Sequence, residues 1–462
     1  MGTLLSLMQS SLSALQADQA ALNVTSNNVA NQNTVGYTRE IVQFANDSVS
    51  LSNGTTSGVN VGSGAISQRD RVLEQRVQQQ TQVQSQSATA EAALQQIENV
   101  FSLSSTSSSA STTAIGSAMD TFFSSLTALA SNPSDTSTRQ AVLTAASSMV
   151  STFNSALGQL SSIGSSLDQE SVSIVSQVNS LTTTIAGLNT QIASSSPTAD
   201  AGTLEDQRQA AIAQLSQLIG LNQISTENNG IALTTANGQV LVSGSTAYAL
   251  QATQVGGSTH ILAGATGEDI TGEITGGQLG GVLSVRDGEL AQVSSSLYTL
   301  AFTVQDKFGG QNSQGVDEYG NTGGYLIGVS PSGAFYMATT DPNSIATAAI
   351  GEGSAGNGNA QALAALATAS IVDGTTATNF YAALLSQVGN AVSSATTDST
   401  QQQTALTQLT TQRDALSGVS LDQEASNLTQ YQRSYEAAAR VFSIVDTLMA
   451  DAINLGQTTA VS

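Results

Sequence analysis

The stretch Val150 to Ile192, VSTFNSALGQLSSIGSSLDQESVSIVSQVNSLTTTIAGLNTQI, decides the fold. Its seam positions alternate spacings of three and four residues, and eleven of the thirteen are apolar. This pattern predicts a coiled-coil-type helix of roughly 60 Å at 1.5 Å per residue. Further helices are predicted at 69–101, 114–131, 203–219, 288–308, 358–370 and 378–416.

A different pattern occupies the middle of the chain. Residues 222–285 alternate Val, Ile and Thr with polar residues, and Asn-Gly pairs at 229–230 and 237–238 are typical of β-hairpins. Residues 40–68 are similar and predict a small β-rich linker. The predicted fold class is therefore mainly α with an inserted β domain: terminal coiled-coil helices, an elongated helical bundle and a middle β-rich domain.

Both ends of the chain predict amphipathic helices with heptad spacing. The N-terminal apolar stripe consists of Leu5, Met8, Leu12, Leu15, Leu22 and Val29. The C-terminal stripe includes Leu421, Leu428, Tyr431, Tyr435, Phe442, Val445, Met449 and Ile453, and it is widened by Ala438, Val441, Leu448 and Ala452. Neither helix has a partner next to it in sequence. They can pair with each other, with the long helices or with copies of themselves.

These patterns divide the chain into five predicted segments. They are an N-terminal helix with linker (1–65), the first part of a long-helix bundle (66–220), an inserted β-rich domain (221–357), the second part of the bundle (358–417) and a C-terminal helix (418–462).

Composition excludes several classes of function. The 462 residues include 11 Lys and Arg against 33 Asp and Glu, a net charge of −22, which argues against nucleic-acid binding. The chain has no Cys and a single His, so it offers no disulfide, thiolate zinc site or multi-histidine metal centre. No apolar run is long enough to span a membrane, and no cleavable signal peptide is evident.

Three features suggest chemistry, and each has a simpler structural interpretation. Gly351–Gly356 matches the G-x-G-x-x-G dinucleotide motif but lacks surrounding strand–helix units, so a loop that caps a helix is expected. Asp317 and Glu318 could line a calcium site, although a turn fits better. His260 is interpreted as a surface or packed residue. We therefore predict no enzyme, cofactor or metal, with a wall-cleaving hydrolase in the middle domain as the alternative.

Two terminal segments carry a family resemblance. Residues 21–39, ALNVTSNNVANQNTVGYTR, resemble the Asn-rich signature of the axial proteins of the bacterial flagellum, which form its rod, hook and hook-associated parts. Residues 417–424, SGVSLDQE, and 431–440, YQRSYEAAAR, are similar to the C-terminal signature of the same group. The Gly-Tyr-Thr-Arg ending resembles the hook-associated members more than hook or distal rod subunits, which stay open as an alternative.

Internal segments support the narrower resemblance to the first junction proteins between hook and filament. They are NPSDTSTRQAVL (132–143), LEDQR (204–208), GGQLGGVLSVRD (276–287), GVDEYG (315–320) and GNGNAQAL (356–363). The chain is shorter than many members, which suggests that an additional outer domain is absent.

The resemblance implies a structural role outside the cell, at the hook–filament junction. It implies a ring of copies, contact with hook protein and with the second junction protein, and type III export without signal cleavage, aided by a chaperone at the C-terminal region. It also implies that the two terminal stripes mediate subunit assembly, and that the terminal helices are largely unfolded in the free subunit.

Overall fold

The computed structural model describes residues 2–34, 36–51, 54–101, 113–194, 202–226, 229–353 and 355–458. Its helices are α1 (Gly2–Asn31), α2 (Arg71–Val100), α3 (Ala114–Ser131), α4 (Thr136–Ser194), α5 (Gly202–Leu218), α6 (Gly277–Val285), α7 (Ala291–Asn312), α8 (Gly358–Ala365), α9 (Ala377–Ser417) and α10 (Leu421–Thr458). A π-helical turn, Arg286–Leu290, joins α6 to α7. The mainly helical class is confirmed.

The strands form small antiparallel groups. They are β1 (Glu40–Leu51), β2 (Gly54–Ser67), β3 (Leu221–Ser225), β4 (Ile231–Thr235), β5 (Val240–Ser243), β6 (Thr246–Ala247), β7 (Gln251–Val255), β8 (Ser258–Leu262), β9 (Gly315–Val316), β10 (Ile327–Val329), β11 (Phe335–Met337) and β12 (Ala348–Ala349). Strands β3 to β6 form one four-stranded sheet in chain order, and the other strands pair as β1–β2, β7–β8, β9–β12 and β10–β11.

Helix α4 is the longest element, with 59 residues or about 90 Å. Ten of the thirteen predicted seam side chains are buried along it. The helix begins well before the predicted seam because Arg139 anchors its first turn. The buried Arg139 guanidinium donates to the carbonyls of Pro133 (2.6 Å) and Ile345 (2.8 Å) and to the Thr347 hydroxyl (2.8 Å).

The hydrophobic core joins α4 to the helices around it. Helix α4 packs against α3 and α5, and α2 packs against α6 and α9. Three phenylalanines pack together within it: the ring of Phe308 lies 5.1 Å from Phe122 and 5.8 Å from Phe123. Among the described residues, the main core cluster runs from Ala93 to Val392, so it includes no residue of α1, β1, β2 or α10.

The middle sheet rests on the C-terminal half of α4. Polar residues of the helix hold its loops: Asn189 donates to the carbonyls of Ile231 (2.8 Å) and Gly244 (2.9 Å). The predicted hairpin turns are present, since Asn229 and Gly238 adopt positive φ angles of 57° and 92°.

Residues 277–285 are helical, which corrects the prediction of β structure up to residue 285. The segment is rich in Gly and Leu, so it lacks a clear period. Its glycines permit close packing: a Cβ on Gly281 would lie 2.6 Å from the Gln86 carbonyl oxygen of α2. Helix α6 forms because α2 lies against it, which is a tertiary effect.

The terminal elements form a separate layer at one end of the helical body. Strands β1 and β2 form a long hairpin between α1 and α2. Helix α1 packs against this hairpin and against α10. The ring of Phe44 in β1 lies 6.2 Å from Tyr431 in α10.

Candidate functional site

The two terminal helices pair with each other, one of the three arrangements that the sequence allowed. Asn28 near the end of α1 contacts Glu424 near the start of α10, with 3.3 Å between Asn28 Nδ2 and Glu424 Oε2. Val445, six turns further along α10, is still buried. The helices therefore run antiparallel along much of their length.

The buried seam of α1 consists of small and polar side chains: Ser11, Ala17, Asp18, Ala21, Thr25 and Asn28. Helix α1 is enclosed by α10 on one side and the β1–β2 hairpin on the other, and such close approach favours small residues. The Ser11 and Thr25 hydroxyls donate to the carbonyls of Leu7 and Ala21 one turn earlier, so their polarity is satisfied within the helix.

The predicted N-terminal stripe lies largely outside this seam. Leu5, Leu12 and Val29 are exposed, and Met8, Leu15 and Leu22 are only half-buried. Leu5 and Leu12 keep 42% and 46% of their surface accessible. This apolar stripe is therefore not the face that α1 presents to α10.

The C-terminal stripe is divided between two faces. Val445 is buried, and Leu428, Tyr431, Phe442 and Met449 are half-buried. Leu421, Tyr435 and Ile453 are exposed. A second row, Val441, Ile444 and Leu448, is also exposed and is called the outer stripe below. The spacings of three and four residues place these three side chains on one face, beside the buried one.

A polar cluster joins the two chain ends, and we call it the terminal clasp: Asn28, Tyr37, Arg39, Glu40 and Glu424. Arg39 Nε lies 2.7 Å from Glu424 Oε1, and Glu424 is 1% exposed. Asn28 donates to the Glu40 carbonyl (2.8 Å), and its own carbonyl oxygen accepts from the Glu40 backbone N–H and the Tyr37 hydroxyl (2.9 Å each). The clasp thus fixes residues almost 400 positions apart in the chain.

Burial and nearby carboxylates keep Tyr37 protonated. Burial and then the carboxylates of Glu40, Asp206 and Glu424 raise the pKa of Tyr37 to about 12. Only the protonated hydroxyl of Tyr37 can donate to Asn28. The negative surroundings and the hydrogen bond therefore both favour the protonated state.

The clasp is also attached to the helical body. The Arg39 backbone N–H donates to the Ser417 carbonyl (3.0 Å) at the end of α9. Arg69 forms an ion pair with Asp206 in α5 and donates to the Thr38 hydroxyl (3.0 Å). Two segments singled out in the sequence, 36–39 and 204–208, therefore meet through Arg69.

The residues that suggested chemistry have structural partners. Hydrogen bonds from Thr271 lower the pKa of Asp269 to about 2, with a smaller effect from His260, whose Nδ1 lies 2.6 Å from Asp269 Oδ2. Asp317 accepts from the backbone N–H groups of Tyr319 and Asn321, which is a turn.

The described residues of the glycine-rich segment, all but Ser354, likewise form a loop before a helix. Glu352 accepts from the backbone N–H groups of Ala349 (3.0 Å) and Gly358 (2.9 Å), which lowers the pKa of its carboxyl group. Over the described ranges, we find no group of three or more side chains arranged to hold a metal ion. None of the helices described is both long and apolar enough to cross a bilayer.

Sequence reasoning missed the clasp and part of the outer stripe. All clasp residues except Glu40 lie in the two signatures, but nothing in a linear pattern pairs Arg39 with Glu424. Val441 and Leu448 were included only as a widening of the stripe. Ile444 was not identified, although its spacing from both is the signal that would have found it.

Comparison with known proteins gives matches over nearly the whole length. Residues 94–326 match the model of the flagellar hook-associated protein FlgK helical domain. Residues 8–38 match the flagella basal body rod protein model, and residues 412–455 match the C-terminal model of the flagellar basal body rod FlgEFG proteins.

Characterised relatives and one solved structure agree with these matches. Flagellar hook-associated protein 1 of Salmonella typhimurium is 27% identical over 559 aligned residues, covering 97% of this chain and all of the relative. The protein of that name from Bacillus subtilis is 29% identical, covering 96% of each. The flagellar hook junction protein FlgK from Burkholderia pseudomallei has the same fold, with a TM-score of 0.69 at 19% identity over 74% of this chain and all of that one.

The helical-domain match spans half of the chain, and the terminal matches fall on the helix pair and clasp. The chain therefore belongs to the FlgK family of flagellar hook-associated proteins, structural proteins of the hook–filament junction.

Proposed function

We propose that the chain joins hook to filament through its terminal helix pair, which packs against neighbouring subunits. One observation carries this proposal: the pair is closed on its inner side and still presents large apolar side chains outward. These are Leu5, Leu7, Leu12 and Val29 on α1, and Leu421, Tyr435, Val441, Ile444, Leu448 and Ile453 on α10. Extended apolar surface on a soluble chain is typical of an interaction site.

Energetics favour burial of this surface between subunits. Removal of apolar area from water stabilises an assembly by about 25 cal/mol per Å2. Within one chain the pair buries mainly small and polar residues of α1, so its own stabilisation is modest. We infer that the helices order fully on assembly, when the outer side chains gain partners.

Family membership supports a proposal for the partners. We propose a ring of copies, flanked by hook protein and the second junction protein. An export chaperone would bind α10 before assembly, because the apolar residues of α10 would otherwise be exposed to water in the cell. Export by the flagellar type III apparatus, without signal cleavage, would place the chain outside the cell. A chain without Cys suits passage in an unfolded state.

We further propose that the chain has no catalytic role. The side chains that suggested chemistry, His260, Asp317 and Glu318, are engaged by neighbouring groups of the fold. A wall-cleaving activity remains the alternative. A zymogram with the purified chain tests it, and clearing of peptidoglycan would contradict the structural assignment.

The assembly proposal is tested by complementation of a deletion strain. Loss of the chain should give intact hooks without filaments, with filament protein in the medium. Ile444→Asp should fail to restore filaments, because it places a charge in the outer stripe. The matched control is Ser443→Asp, which adds the same charge one residue away at an exposed polar position. Full restoration by Ile444→Asp would contradict the proposal.

A further inference from the structure

The N-terminal helix contains a single charged residue, and that residue lies on its buried side. Helix α1 spans 30 residues, and Asp18 is the only charged one. An amphipathic helix normally places its charged residues on the face that meets water. Asp18 is instead 7% exposed and belongs to the seam, together with Ala17 and Ala21. The elements that chiefly pack against α1 are α10 and the β1–β2 hairpin, so these enclose the carboxyl group.

Asp18 lacks the partners that the other polar residues of the seam have. Ser11 and Thr25 donate to carbonyls one turn earlier, and Asn28 is bound within the terminal clasp. Among the described residues, no hydrogen-bond partner reaches Asp18 Oδ2, although this atom is buried. An ionised carboxylate can only accept hydrogen bonds, and the N–H groups in the middle of a helix already donate to its own carbonyls. Helix α1 by itself therefore cannot satisfy Asp18.

The charged groups of the neighbouring elements do not compensate Asp18. Strand β2 has no charged residue, and those of β1 are the acidic Glu40 and Asp47. Helix α10 carries two cations, Arg433 and Arg440, and both side chains are exposed. Within the described ranges, neither of them forms an ion pair with Asp18. The other charged residues of α10 are acidic, so no neighbouring element offsets the buried charge.

Glu424 in the same layer is a buried carboxylate that does have partners. It lies 2.7 Å from Arg39 Nε and 3.3 Å from Asn28 Nδ2. Such partners compensate a buried charge for the water that it loses, whereas an unpaired buried charge opposes folding. The two terminal helices therefore contribute charges of opposite effect: Glu424 on α10 holds the helix pair together, and Asp18 on α1 opposes its closure.

We propose that Asp18 is a conformational device, whose buried charge keeps the terminal helix pair of the free chain easy to open. Closure of the pair removes the Asp18 carboxylate from water, and opening returns it to water. The charge therefore favours the open state. Opening releases α1 and α10 from each other, which any exchange of partners by these helices requires. The inference concerns a single free chain, so it does not depend on the assembly proposed above.

Removal of the charge from the full free chain tests the proposal. Asp18→Asn keeps the size and shape of the side chain, and its amide can donate as well as accept. Hydrogen exchange of α1 and α10 amides should slow by about tenfold or more, because the closed pair no longer buries a charge. Exchange in α4 should stay the same, and it serves as the internal reference for a folded body. Unchanged or faster exchange in α1 and α10 would overturn the proposal.

The matched control is Asp446→Asn, which makes the same substitution at an exposed position of α10. It changes the net charge of the chain by the same amount without altering a buried group. Exchange in this variant should therefore match that of the unmodified chain. Equal slowing in both variants would overturn the proposal, because the effect would then come from the net charge.

Asp18→Ser provides a second measurement. Serine has a helix propensity close to that of aspartate, and Ser11 shows that the seam accommodates a hydroxyl bonded within the helix. This variant should also slow exchange in α1 and α10, and exchange as fast as in the unmodified chain would overturn the proposal. Complementation with Ile444→Asp tests the proposed function in chains that keep Asp18, so failure of either proposal leaves the other standing.

Discussion

At the scale of single residues, the terminal clasp shows why particular positions of the signatures matter. Glu424 is buried, so its charge requires a partner, and Arg39 and Asn28 provide one. Asn28 acts as both donor and acceptor, toward Glu40, Tyr37 and Glu424. An apolar residue of the same size at position 28 would leave several of these groups unpaired.

Removal of the Glu424 charge should loosen the attachment of α10. Glu424→Gln leaves Arg39 without its carboxylate, and we expect a destabilisation of the helix pair by about 2 kcal/mol. Hydrogen exchange of α1 and α10 amides measures this change. The control is Glu436→Gln on the exposed side of α10, which should leave exchange unchanged. Equal protection of these amides from exchange in both variants would contradict the role of Glu424 in attaching α10.

The raised pKa of Tyr37 predicts alkaline sensitivity. The folded chain holds this proton more tightly than the unfolded chain, because the pKa rises from 10.0 to about 12. The contribution to stability is therefore fully present below pH 10 and is lost as pH rises through 12. Tyr37→Phe should show a shallower loss of stability between pH 10 and 12 in chemical denaturation.

Tyr381, whose pKa burial also raises to about 12, contributes in the same direction. Part of the loss of stability between pH 10 and 12 should therefore persist in Tyr37→Phe. This part should disappear only when Tyr381→Phe is added. Tyr319→Phe, at an exposed position, is the control. If the double variant lost stability with pH as the unmodified chain does, this explanation would be refuted.

At the scale of elements, the terminal helices differ from the helices of the body. Helix α4 buries one apolar seam within its own chain. Helix α1 buries small and polar residues within its chain and exposes Leu5, Leu7 and Leu12. The same heptad spacing therefore has opposite outcomes, because α4 is surrounded by its own chain and α1 has neighbours on only part of its circumference.

The small residues of the α1 seam should not tolerate enlargement. Ala21 is 2% exposed, so Ala21→Leu must force α1 away from its neighbours, at an expected cost of about 1–3 kcal/mol. Asn23→Leu, two residues away at an exposed position, adds a similar side chain without this cost. Thermal melting followed by far-ultraviolet circular dichroism compares the two. If both variants melted at similarly lowered temperatures, the assignment of Ala21 to a closely packed seam would be contradicted.

At the scale of the whole molecule, stability is concentrated in the body. The main core cluster of the described residues ends at Val392, and the terminal layer is attached mainly through the clasp, Arg69 and Ser417. Elements with few contacts to the core open more easily. The alignment with the Salmonella relative spans more positions than this chain has residues, so that relative contains segments without a counterpart here.

Limited proteolysis of the free chain should remove the ends first. We expect cleavage within roughly 1–65 and 418–462, and a resistant fragment that contains the body from α2 to α9. Mass spectrometry of the fragments identifies the cut sites. Survival of both ends until the body is digested would contradict the inference that the helices order fully on assembly.

Much of this protein was determined by the sequence alone. The period of α4, the Asn-Gly turns and the two terminal heptads are local patterns, and each predicts its element because backbone geometry sets the period. The family resemblance also rests on short segments that can be read directly from the chain.

Other features were decided only by the tertiary structure. Helix α6 lies where β structure was expected, because its glycines let it pack against α2. Small residues of α1 are buried, whereas Leu5 and Leu12 are exposed. This difference depends on how α10 and the β1–β2 hairpin enclose that helix. The pairing of Arg39 with Glu424 depends on the fold that brings the two chain ends together. Periodicity states which residues share a face, and only the packing of distant segments determines what that face meets.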